Sequence, residues 1–149
     1  MKNKDKFRYA EKCLYDYKRN LAALNVLRED LRVAKAGTDI RVQNYQFTFG
    51  FEGEPSNPVE ARMIKIENIE GKIQKLERYT KPISQLIEDL SAPENLKGSM
   101  NRILFEVMKL FYFGKNLPEV IMEELNIAYR TFIRRRRELV FMAIGYLAI

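Results

Sequence analysis

The chain has 149 residues, 46% of them apolar, and a formal charge of +6 from 26 Lys/Arg against 20 Asp/Glu. That length fits one ordinary domain or two small ones in series, with enough apolar residues to build a core. Cys13 is the only cysteine and there is no histidine, which excludes a disulfide framework, the common zinc sites and imidazole acid–base chemistry.

The first helix is expected from Phe7 to Leu31. Phe7, Ala10, Leu14, Tyr17, Leu21, Leu24 and Leu31 recur at spacings of three and four, with Arg28 breaking the seam. Such spacing draws an apolar stripe along a helix. Gly37, suited to the left-handed conformation, should end it, with Lys35 in the last turn. The stretch "RVQNYQFTFGFEGEPSNP" is aromatic and β-prone, then rich in Gly, Pro, Ser and Asn, and reads as a loop or short hairpin over about 38–57. Its aromatics read as packing residues, because no basic residue follows Arg41 there.

A second stripe runs through Ile66, Ile69, Ile73, Leu76, Thr80, Ile83, Ile87 and Leu90. Asn57 is placed as its N-cap and Pro58 at its first position. Pro82 lacks the backbone N–H, so a kink or restart is expected there. The polar stretch "SAPENLKGS" supplies a linker at 91–98. We therefore expect an all-α chain: a helical hairpin or coiled coil over 1–90, then a domain over 99–149.

In that second part Ser99 is a candidate N-cap, and Ile103, Leu104, Val107, Met108, Phe111 and Tyr112 mark an amphipathic helix that stops near Gly114. A short helix follows over Pro118 to Leu125, then a tight connection at Asn126 and Ile127, then a helix from about Ala128. Helix, turn and basic helix are the parts of a helix-turn-helix, whose second helix enters the DNA major groove.

The stretch "LFYFGKNLPEVIMEELNIAYRTFIRRRRELV" resembles the region-4 helix-turn-helix of sigma factors, and more closely that of phage late-gene transcription activators of the RinA/ArpU type. The resemblance covers residues 104–140. It rests on "LFYFGKNL" before the motif, "EVIMEELNI" across the first helix and turn, and "RTFIRRRR" in the second helix. "PSNPVEARMIKIENIEGKIQKLE" is similar to a segment such activators carry. Two positions depart from the pattern: Ala128 replaces the usual Ser or Thr cap, and Met122 replaces a small residue between the helices. The resemblance implies sequence-specific double-stranded DNA binding that activates transcription of phage late genes, in the cytoplasm of a bacterial host cell, with RNA polymerase as a further partner.

The charge distribution agrees with a polyanion partner. Residues 1–36 carry ten Lys/Arg against five Asp/Glu, and Ala128 to Leu139 holds five arginines against Glu138. Helical geometry sorts these arginines. With Phe132 facing the core, Arg130, Arg134 and Arg137 fall within about 40° of the opposite side. Arg135 lies on a flank, within reach of phosphates, and Arg136 sits near the core edge with its stem along apolar neighbours. Tyr129 and Thr131 are placed for base edges and Ile133 for a thymine methyl. Lys115, Asn116 and Arg135 are assigned to the DNA backbone.

Beyond the arginines, Phe141, Ile144 and Ala148 lie on the face that Arg130, Arg134 and Arg137 occupy earlier, so the helix turns apolar all round. A helix of that kind should be buried on every side, either by the N-terminal helices or by another protein such as a second copy, giving a homodimer. The run Leu139 to Ile149 is about half of what a membrane span needs, and the N-terminus lacks a signal-peptide pattern, so no membrane is expected. Cys13 should pack as a small apolar residue. Glu123 and Glu124 are neighbours that splay apart on a helix and suggest no metal site. No enzyme, cofactor or small-molecule substrate is expected. The alternatives to a regulator are a phage DNA-packaging protein resembling a small terminase subunit, and a helical adaptor that does not bind DNA.

Overall fold

The computed structural model describes residues 1–37, 58–92, 94 and 99–149. The expected loop or hairpin at 38–57, with its aromatics and Asn57, lies outside the described residues, as do most of the linker and the Ser99 side chain. Every described element is helical: α1 (Asn3–Ala36), α2 (Pro58–Ser91), α3 (Ser99–Val107, running into a π-helical turn at Met108–Phe113), α4 (Pro118–Leu125) and α5 (Tyr129–Leu147). The all-α expectation holds over these residues.

By packing, the chain divides into two compact units, Leu21–Glu77 and Met1–Asn20 together with Arg78–Ile149. The division falls inside α1 and α2, whereas the sequence reading drew it at 91–98. The heptad stripes explain the difference. They are continuous along both helices, so apolar periodicity carries no mark where the packing partner changes.

In the unit Leu21–Glu77, the stripes of α1 and α2 close on each other. Leu24, Ala34, Ile69 and Ile73 are buried, with Leu27, Leu31, Ile66 and Leu76 packed against them. Arg28 pairs with Glu77 at 3.4 Å and Lys35 with Glu70 at 3.7 Å, while Arg62 donates to the Gly37 carbonyl at 3.2 Å. Residue numbers rise on one helix as they fall on the other, so the helices run antiparallel here. Arg28, which interrupts the stripe, is an exposed ion-pair partner. Gly37 takes the left-handed φ of +73° expected at the end of α1.

In the other unit, the first turns of α1 and the second half of α2 join α3, α4 and α5 around one core. Ala10, Leu14, Ile83, Leu86, Val107, Met108, Tyr112, Ile121, Leu139 and Val140 are all fully buried. Tyr17 donates to or accepts from Ser84 at 2.9 Å, and Tyr9 meets Tyr79 edge to face with ring centres 6.1 Å apart. Burial pushes the Tyr9 phenol up to about 12, and the Cys13 thiol up to about 11. Cys13 is thus the buried, protonated small residue the sequence suggested. Of the kink or restart expected at Pro82, the restart does not occur, and the helix continues from Pro58 to Ser91. Proline removes its own hydrogen bond and crowds the carbonyl one turn earlier, and burial of Thr80, Ile83 and Leu86 on either side offsets this cost.

Candidate nucleic-acid interface

The short helix α4 begins with Pro118 at its first position, where a missing N–H costs nothing. It ends at Asn126, whose φ of 52° and ψ of 52° are left-handed, a conformation asparagine tolerates better than most residues. The Ile127 N–H reaches back to the Met122 carbonyl at 3.0 Å and the Asn126 N–H to that of Glu123 at 3.3 Å. These two bonds form a Schellman-type stop. Only Asn126, Ile127 and Ala128 separate α4 from α5. Ile121 and Phe132, both buried, anchor the pair. The opposite side of α4 is acidic and apolar, with Glu119, Val120, Glu123 and Glu124 exposed.

Ala128 sits at the N-cap of α5 with extended backbone angles and no side-chain bond to the helix, so the capping interaction is missing as expected. The geometric sorting of the arginines holds in part. Phe132, Leu139 and Ala143 are buried, and Tyr146 is half-buried with its hydroxyl donating to Asp89. Arg130, Arg134 and Arg137 are exposed. Among the described residues none of the three makes an ion pair. Together with Ile133, Glu138 and Phe141 they line a shallow cleft of about 320 Å³. Tyr129, 57% exposed, stands at its N-terminal end, beside half-buried Thr131.

Arg136 lies at the core edge, but it does more than lay down its stem. Its guanidinium donates to Glu11 of α1 and stacks over the Phe111 ring at 5.2 Å. Burial works against its charge, yet the bond to Glu11 more than offsets this and raises its pKa. Tyr112 beneath is fully buried, and burial pushes its phenol far up; the Glu11 charge adds to this and Arg136 opposes it.

Three residues assigned to the DNA backbone have partners within the chain. The Arg135 side chain is only 15% exposed, pairs with Glu138 at 2.7 Å and keeps its Nε buried without a partner. It is folded against its own helix. The Lys115 ammonium donates to the Tyr15 carbonyl of α1 and lies 4.5 Å from the Tyr15 ring centre. Partial burial lowers its pKa. Asn116 donates through Nδ2 to the Leu110 carbonyl at 3.0 Å. Both side chains close the C-terminal end of α3. Lys115 and Asn116 looked free in the sequence because their partners are backbone atoms, whereas the Arg135–Glu138 pair is a local i,i+3 contact on one helix.

Beyond the arginines, where α5 is expected to be covered by the N-terminal helices or by another protein, α1 covers it in part. Phe141 meets Phe7 of α1 edge to face at 5.7 Å but stays 57% exposed. Ile144 is half-buried, and Ala148 is exposed as the left-handed residue that ends the helix. The first turns of α1 escaped the sequence reading as part of this site. Its one signal was Glu11, a carboxylate beside the stripe of Phe7, Ala10 and Leu14.

Compared with family models, with curated proteins and with solved structures, the chain matches none. The resemblance to the phage activators therefore stands on the quoted residues alone. Among the described residues no helix is long and apolar enough to cross a membrane, and no group of His, Cys, Asp and Glu is arranged to hold a metal ion.

Proposed function

We propose that the protein binds double-stranded DNA through the exposed face of α5, as a transcription regulator that activates phage late genes. The observation that carries the reading is the row of Arg130, Arg134 and Arg137, exposed on one side of a helix that follows α4 across three residues. Unpaired guanidiniums on one face match the phosphates and guanine edges of a major groove. The acidic side of α4 fits this orientation, because its carboxylates belong away from a polyanion. The quoted resemblance supplies the regulatory role and the phage setting.

Footprinting on neighbouring phage DNA with wild type and Arg134→Ala tests the proposal. Arg134 is exposed and unpaired, so the variant should keep its melting temperature and lose about 1–3 kcal/mol of affinity at a protected site. Protection insensitive to Arg134 refutes the residue assignment, and no protected site refutes the regulator. The exposed Phe141 on the same face favours a second reading, an adaptor that docks a protein there. Failure to bind random duplex even at low salt selects it.

A further inference from the structure

Two contacts fix how α1 runs beside α5. Phe7 meets Phe141, and Glu11 meets Arg136. Numbers rise on α1 as they fall on α5, so the helices lie antiparallel, and axes of packed helices are about 8–10 Å apart. On α1, buried Ala10 and Leu14 mark the core side. Taking Phe7 as the origin, helical geometry puts those two at about −60° and −20°, Glu11 at about +40°, and Lys4 and Arg8 at about +60° and +100°. Lys4 and Arg8 thus continue past the side that faces α5 and away from the core.

Phe141 of α5, taken as zero, lies in the middle of the arginine row, with Arg134 at about +20° and Arg137 at about −40°. Arg136, which holds α1 through Glu11, lies at about −140°. Helix α1 is therefore seated on the Arg137 side of the row, and its Lys4 and Arg8 open to the same side of the molecule as the arginines. Both are exposed, and among the described residues neither makes an ion pair. Glu11, the acid nearest them on that flank, is neutralised by Arg136. Asp5 points further round, at about 160°.

The geometry points to a polyanion-binding surface that spans two helices, in which Lys4 and Arg8 of α1 grip the phosphates at the rim of the groove that α5 enters. The spacing fits: a major groove is about 12 Å wide, so a helix seated about 8–10 Å to one side of its occupant meets the bordering phosphate backbone. These contacts read no sequence. They add salt-dependent affinity and orient α5. The inference rests on the duplex-binding reading above.

The test is a salt titration of duplex binding, from about 50 to 200 mM, for wild type, Lys4→Ala with Arg8→Ala, Arg134→Ala, and a control pair, Lys72→Ala with Lys75→Ala, that removes the same charge elsewhere. The Lys4/Arg8 pair should lower the slope of log K against log salt by about 2, equally on the footprinted site and on random duplex. Its melting temperature should stay that of wild type. An unchanged slope, or an equal drop in the control pair, overturns the inference while Arg134→Ala still reports on α5. No duplex binding by wild type at the lowest salt overturns both.

Discussion

Arg134, Arg135 and Arg136 are consecutive and chemically alike, and each ends in a different environment. A rotation of about 100° per residue sends the first to solvent, the second back onto Glu138, and the third to Glu11 on another helix. The direction of each was legible from Phe132 as the core marker, because an amphipathic helix fixes its own phase. The partners were not legible, since nothing in the local sequence says that a carboxylate 125 positions away will meet Arg136. Ala128 was readable in the opposite sense, as a residue that withholds a bond. Its consequence is measurable. Ala128→Ser should place an oxygen over the free N–H groups that open α5 and raise stability by about 1 kcal/mol, a few degrees in melting temperature. An unchanged or lower melting temperature would mean that the backbone at 128 cannot present the hydroxyl.

Among the elements, α3 departs furthest from its sequence pattern. Periodicity placed a helix from Ser99 and a stop at Gly114, and both are found, but the last turn is π-helical. The wider turn lets three successive aromatics reach α1: Phe111 and Tyr112 meet Tyr15, and Phe113 meets Tyr17. Packing across helices decides this turn, which is why no local propensity announces it. Gly114 serves it differently from Gly37. Its φ of −83° suits any residue, and the left-handed position is Lys115, at 56°. What Gly114 provides is room. A Cβ there would lie 2.9 Å from the Leu110 carbonyl oxygen and 2.8 Å from Asn116 Nδ2. Gly114→Ala should therefore destabilise the protein by about 1–2 kcal/mol despite its better helix propensity. A gain in melting temperature would show that the turn relaxes to α-helical geometry.

At the scale of the molecule, composition and periodicity disclosed the helical class and the order of elements, because both depend on short-range spacing. They did not disclose which residues fold together. Met1–Asn20 belongs with the C-terminal helices, and the reason lies in long-range contacts between Tyr15 and Tyr112, Glu11 and Arg136, and Asp89 and Tyr146. A fragment of residues 99–149, cut at the boundary the sequence suggests, should lose these contacts and expose Phe111, Tyr112 and Leu139. It should show no cooperative thermal transition, whereas the full chain melts sharply. A sharp melt from the fragment would mean that the helices after Ser99 suffice for their own core.

The exposed carboxylates Glu119, Glu123 and Glu124 on α4 and the guanidiniums of Arg130, Arg134 and Arg137 on α5 also act together before any contact forms. Opposite charges on two joined helices make an electric dipole, and a dipole in the field of a polyanion feels a torque that turns its positive side forward. The collision is then selected for orientation while still a Debye length away, about 8–10 Å at ordinary salt. Removing the carboxylates would strengthen the overall attraction to a polyanion but weaken this selection of orientation.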